Sequence, residues 1–227
     1  MYKMLPGEQL DDLQDRGYKI IQDPNDYCFT SDAVLLANFA KVKKSETLCD
    51  LCSGSGIVST LLQLKKPYSK AFLVELNTAA CDRARRSAEG NNFEHFEVIN
   101  IRLQDATQKI NEHSIDVVTV NPPYMEQSVG EQEKTYGKAI ARWEIELNLT
   151  DVIQTAAKLL KYGGRFYMIH STNRLVDCLS TMRQFGIEPK VLQMVYPKQS
   201  SDSNVFLVEG KARGHKGLKV IAPHIVR

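Results

Sequence analysis

The chain carries 227 residues, 43% of them hydrophobic, with 29 basic side chains against 27 acidic ones and a formal charge of +2. That length and apolar content suit one α/β domain with a short appendage rather than two independent domains, and so small a charge does not by itself announce a nucleic-acid binder. No apolar run approaches the ~18 residues of a membrane span, and the opening Met1-Tyr2-Lys3-Met4-Leu5-Pro6-Gly7-Glu8 lacks the apolar core of a secretory signal, so a cytoplasmic protein is expected.

Residues 1–45 read as an N-terminal appendage, and 46–227 as the main domain. Within the appendage, residues 18–22 have strand character and 23–26 form a turn, after which Ser31 or Asp32 can cap a helix over 33–39. From Thr47 onward short apolar runs alternate with helical patterns, the sequence form of βαβ units. Strands are predicted at 47–51, 71–75, 96–100, 115–120 and 165–170. Helices are predicted at 57–64, 78–91 and 152–161, the last capped by Thr150, with a further one over 174–185 stopped by Gly186. Two strand-like runs, 190–196 and 204–209, then follow with no helix between them, which predicts an antiparallel hairpin closing the sheet. The five cysteines, Cys28, Cys49, Cys52, Cys81 and Cys178, are odd in number and scattered, as reduced thiols are. Cys49 and Cys52 form a C-x-x-C without a second pair of ligands, so no metal site is expected.

The first βα turn, Asp50-Leu51-Cys52-Ser53-Gly54-Ser55-Gly56, puts small residues where backbone must approach a ligand closely. Glu75 ends the next strand, where an acid can accept ribose hydroxyls, and Asp105 follows the third strand, where it can accept from an adenine amino group. That order suits an adenosine-bearing cofactor. A pyrophosphate binder wants G-x-G-x-x-G, but Ser59 stands at the third glycine position and Asp50 would repel phosphate. An acid there is instead welcome near the ammonium and sulfonium of S-adenosylmethionine.

Asn121-Pro122-Pro123-Tyr124 directly follows the predicted strand 115–120. An exocyclic amine on adenine is planar and a poor nucleophile, because its lone pair is delocalised into the ring. The side-chain oxygen of Asn121 and the carbonyl of Pro122, both accepting from the NH2, favour a pyramidal nitrogen with its lone pair free for a methyl group, and these bonds strengthen as positive charge grows. The two prolines keep the backbone extended and its carbonyls unclaimed, and Tyr124 can stack on the base. Residues 125–148 are too long for an ordinary connection and read as a substrate-ordered lid. Within it Arg142 offers a phosphate contact, and Trp143 either a stacking surface or a core anchor. Basic clusters at Lys41/Lys43/Lys44, Lys65/Lys66/Lys70 and Arg83/Arg85/Arg86, and the tail residues Lys211, Arg213 and Lys216, are solvated faces or an RNA surface.

With these residues in place, the chain resembles the class I amino-methyltransferases. Its opening, Leu10-Asp11-Asp12 through Ile20-Ile21-Gln22-Asp23-Pro24 to Phe29-Thr30-Ser31-Asp32-Ala33-Val34-Leu35-Leu36, is similar to the bacterial enzymes that methylate the adenine 3′ of the anticodon in a valine tRNA. The resemblance implies a Rossmann-like, seven-stranded, mostly parallel sheet with an antiparallel last strand and helices on both faces. It implies that Phe29 and Asp32 cover the methionine end of S-adenosylmethionine, and that Asp50, Ser53, Gly54 and Gly56 line it. It further implies that Glu75 holds the ribose, that Asp105 and Ala106 hold the adenine, that Leu76 and Asn121 also bind the cofactor, and that Asn121 to Tyr124 hold the target amine. A protein glutamine methyltransferase is the nearest rival, but such enzymes carry a sizeable helical domain before the glycine loop, and residues 1–46 show little helical periodicity. A protein that binds cofactor or RNA without catalysis would need no amine acceptors.

Overall fold

The structure is a computed structural model that describes residues 2–13, 17–26, 28–123, 148–199 and 201–226. Strands β1 (Gln9–Asp12) and β2 (Lys19–Gln22) form an antiparallel hairpin ahead of helix α1 (Ser31–Phe39). The main sheet then grows through β3 (Thr47–Leu51), α2 (Ile57–Lys65), β4 (Lys70–Glu75), α3 (Thr78–Gly90), β5 (Phe96–Asn100), a 3-10 turn (Leu103–Gln108) and β6 (Ile115–Val120). After residue 147 come α4 (Leu149–Leu159), β7 (Leu160–Ser171), α5 (Leu175–Gln184), β8 (Ile187–Tyr196), β9 (Val205–Ala212) and two short strands, β10 (Lys219–Val220) and β11 (His224–Ile225).

Spatial order across the sheet is β5-β4-β3-β6-β7-β9-β8, with β10 and β11 one after the other along the outer edge of β8. Among the described residues only β9, antiparallel to both β7 and β8, breaks the parallel direction. The expected Rossmann-like architecture is therefore the one observed. Its two short edge strands were not foreseen: pairing of this kind covers the backbone N–H and C=O groups of an edge strand.

Side chains of each strand alternate between two cores. Leu48, Leu73, Val117, Tyr167 and Ile169 face α1, α2 and α3, whereas Cys49, Leu51, Val74, Val118, Val120 and Phe166 face α4 and α5. Because β3 and β6 are adjacent in parallel register, Asp50 sits opposite Thr119 on the first of these faces. Ile20 of β2 and Leu36 of α1 are buried in the same core, which ties the N-terminal segment to the sheet.

Two local expectations need correcting. Helix α4 starts at Leu149 behind Asn148, whose side chain accepts from the Asp151 amide at 2.8 Å, so Thr150 lies inside the helix. It ends at Leu159, because Leu160 is already extended and pairs with Ile115. Likewise Thr30 precedes α1, and Ser31 and Asp32 occupy its first turn. No described helix is long and apolar enough to cross a membrane.

Candidate active site

In a parallel sheet the carboxyl ends of the strands leave a crevice, and β3, β4, β5 and β6 all end on that side. Strand β3 runs into a turn in which Cys52 (φ 56°), Gly54 (φ 54°) and Gly56 (φ 86°) take left-handed conformations before α2 begins. A Cβ on Gly56 would stand 2.7 Å from Leu73 Cδ2, so the turn is pressed against β4, whereas a Cβ on Gly54 would meet nothing within 4 Å. The loop is closed underneath and open above. Ser53 Oγ is buried and has no hydrogen-bond partner among the described residues.

Asp50 lies beneath this turn and is 1% exposed. Its Oδ1 accepts from Thr119 Oγ1 at 2.7 Å and its Oδ2 from Ser59 Oγ at 3.0 Å. Burial pushes the carboxyl up to about 6, against the pull of those two hydroxyls. Thr119 and Ser59 were not anticipated as site residues. The signal was present in a single hydroxyl within the apolar run Val117-Val118-Thr119-Val120, but only strand order shows that Asp50 stands across from it.

Glu75 closes β4 and is almost fully buried. Its Oε1 accepts from the amides of Leu76 and Asn77, and its Oε2 from the Gly54 amide, each at 2.8 Å. Burial raises its pKa in spite of those three donors. An ionised carboxylate offers about four acceptor sites, so one remains for a ligand, and holding both hydroxyls of a ribose requires the Gly54 bond to yield. Leu76 presents an exposed apolar side chain beside it.

Asp105 and Ala106 sit in the 3-10 turn after β5, on the same side of the sheet. Ala106 is buried, and Asp105 accepts from Gln108 Nε2 at 3.1 Å. Asn121, half-buried, follows directly on β6, with Pro122 buried and Pro123 exposed. The amide of Phe29 donates to Gln22 Oε1 at 3.1 Å, and burial raises the pKa of Asp32.

The carboxyl end of the sheet thus brings together Asp50, Ser53, Gly54, Gly56, Glu75, Leu76, Asp105, Ala106 and Asn121. It does not gather Lys211 and Arg213. Lys211 pairs with Arg165 near the amino end of β7, and Arg213 follows β9 there, whereas the carboxyl end of that strand is at Ser171. At about 3.3 Å per residue the separation is about 20 Å. Lys216 follows in the exposed chain between β9 and β10. Tyr124, Arg142, Trp143 and all of the expected lid but Asn148, which caps α4, lie outside the described residues.

Comparison with known proteins bears on the family and the fold. The family model described as "Methyltransferase small domain" matches residues 28–188. A tRNA1(Val) (adenine(37)-N6)-methyltransferase of Histophilus somni (strain 2336) is 30% identical over 145 residues, covering 61% of this chain and 58% of that protein. A protein of the same name from Phocaeicola vulgatus is 26% identical over 183 residues, covering 80% and 75% of the two chains. The match with the Histophilus protein therefore spans under two thirds of that relative's length. Among solved structures, a predicted O-methyltransferase from Agrobacterium tumefaciens superposes with a TM-score of 0.66 at 20% identity, covering 86% of each chain. The M. jannaschii TYW2 in complex with AdoMet gives 0.62 at 13% identity over 92% of this chain and 87% of that one. At such identities the structures speak for the fold, and the family match extends over most of the sequence: the chain belongs to the methyltransferase small domain family.

Proposed function

We propose that the protein transfers a methyl group from S-adenosylmethionine to the exocyclic amino group of an adenine in RNA, in a tRNA next to the anticodon. The observation that carries this reading is the convergence of Asp50, the 52–56 turn, Glu75 and Asn121-Pro122 at the carboxyl ends of three neighbouring strands. The names of the tRNA-modifying relatives supply the substrate class.

The residues present fit the cofactor. Ser53 Oγ is a buried polar atom awaiting a partner, Gly54 faces open space, and Glu75 keeps an acceptor site beside the apolar Leu76. Asp50 places negative charge beneath the turn, where a cationic methionine ammonium and sulfonium gain most from it. Asp105 and the Ala106 backbone would hold the adenine, and Phe29 and Asp32 would cover the methionine end. Residues 1–45 are thus a cover over the cofactor, and 46–227 the catalytic domain. When bound, the cofactor supplies an electrophilic methyl group.

The chain's part is to bind and orient the amine. Asn121 Oδ1 and the Pro122 carbonyl accept its two hydrogens, which turns the nitrogen lone pair out of conjugation with the ring. Buried Pro122 keeps the carbonyl's direction fixed, and Tyr124 would stack on the base. The proton in excess on the alkylated nitrogen is acidic enough to leave to water, so no buried base is called for. Arg142 and Trp143 would serve the RNA near the target. Lys211, Arg213 and Lys216 would meet a more distant part of the same RNA, which a folded tRNA is large enough to provide. A tRNA substrate also sets the place of action in the cytoplasm.

The test is incubation with radiolabelled cofactor and, separately, total tRNA, total DNA or a translation release factor, followed by digestion and identification of the product. N6-methyladenine in tRNA is expected. Label confined to the release factor would identify a glutamine methyltransferase instead, and no label in any arm would leave a non-catalytic binder.

A further inference from the structure

Gln22 closes β2 and is 1% exposed, yet it is a polar side chain placed among apolar ones. Its Nε2 donates to Ser55 Oγ at 2.6 Å and lies 3.3 Å from the Ile21 carbonyl, while its Oε1 accepts from the Phe29 amide at 3.1 Å. A single carboxamide therefore joins the middle residue of Gly54-Ser55-Gly56 to the stretch of chain that leads into α1. Nearby, Asp26 pairs with the buried Arg83 and accepts from Asn77 Nδ2 at 3.2 Å. Asn77 in turn donates its amide to Glu75 Oε1 and caps α3 through its side chain. The N-terminal segment is tied at one point to the glycine turn and at another to the end of β4, the two elements that frame the candidate cofactor site.

We propose that Gln22 is a positioning residue: its carboxamide latches the Phe29 segment over the glycine turn and so sets the affinity for the cofactor. The inference rests on the reading of that turn as the cofactor's cradle. Ser55 lies between two left-handed glycines, a conformation with many unfolded alternatives, and a bond to the covering segment removes those alternatives before a ligand arrives. Gln22 bonds to Ser55, Ile21 and Phe29 and to none of the residues read as holding the target amine, so the latch acts on binding rather than on the chemical step.

The experiment uses the full chain, titrated calorimetrically with S-adenosylmethionine and assayed at saturating tRNA. Gln22→Met keeps the length of the side chain and removes both hydrogen-bonding groups. Its dissociation constant for the cofactor should rise ~10-fold, with kcat at saturation within about 2-fold of wild type. Ser55→Ala severs one arm alone and should weaken binding ~3-fold, and the double variant should behave as Gln22→Met does, because the two act through one bond. The Phe29 amide should lose protection from hydrogen exchange in Gln22→Met without any cofactor present. A role confined to packing would lower thermal stability and leave affinity untouched. Affinity within 2-fold of wild type in a folded Gln22→Met, or in Ser55→Ala if the former does not fold, overturns the proposal. Failure of the wild-type protein to bind S-adenosylmethionine would instead overturn the functional reading beneath it.

Discussion

Asp50→Asn keeps the shape of a buried side chain and removes its charge. The unfolded carboxyl releases its proton near 3.8, whereas in the native protein burial holds it up to about 6. Between those values the native state binds more protons than the unfolded chain, so stability falls as pH rises from about 4 to about 6 and stays lower above. At about 1.36 kcal/mol per pH unit, the rise from 3.8 to about 6 amounts to about 3 kcal/mol of penalty at neutral pH. An asparagine can accept from one of the Ser59 and Thr119 hydroxyls and donate to the other, so both bonds survive without the charge. Urea unfolding should therefore find Asp50→Asn more stable than wild type at pH 7 by ~1 to 3 kcal/mol, with the difference vanishing towards pH 4. The gain in stability should come with a loss of function. A cationic cofactor favours ionised Asp50, so wild-type affinity should improve as pH rises through about 6, and the variant should bind more weakly with no such dependence. A variant less stable than wild type at pH 7, or one whose stability difference is independent of pH, would refute this account of Asp50.

Thr119→Val removes one donor from Asp50, so its carboxyl should rise further and the midpoint of the affinity–pH curve should move upward, which the same titrations would detect. Asn121→Ala should leave cofactor affinity within a few-fold and cut turnover at least ~100-fold, measured by single-turnover methyl transfer; unchanged turnover would remove Asn121 from the mechanism. Gly56→Ala and Gly54→Ala should separate stability from binding. At Gly56 the new methyl collides with Leu73 on a left-handed backbone and should cost ~2 kcal/mol or more by denaturant titration. At Gly54 it projects into open space, so backbone strain alone should cost ~1 kcal/mol, while calorimetry registers weaker cofactor binding.

The strand–helix alternation, the strands at 47–51, 96–100 and 115–120, and the closing hairpin were legible along the chain, because periodicity and turn residues are local properties. So were the glycine turn, the acid ending β4 and Asn121-Pro122-Pro123, each marked by residue type at a strand end. The cap of α4 was misplaced by two residues because Asn148 and Thr150 are both competent caps, and the choice rests on which one is left outside the helix. Strand order lies beyond local pattern: adjacency of β3 to β6 is a fact of packing, and without it neither the Asp50–Thr119 bond nor the elevated carboxyl can be inferred. The same holds for Gln22, an ordinary polar residue at a strand end until folding sets it between Ser55 and Phe29, and for Lys211 and Arg213, whose charge is visible in the chain but whose position about 20 Å from the site follows from the reversed direction of β9. What the amino-acid order determined by itself was which chemical groups stand at the ends of which elements, since that depends on neighbours in the chain. What only the tertiary structure decided was which of those groups meet, since contacts between residues tens of positions apart are set by the packing of whole elements.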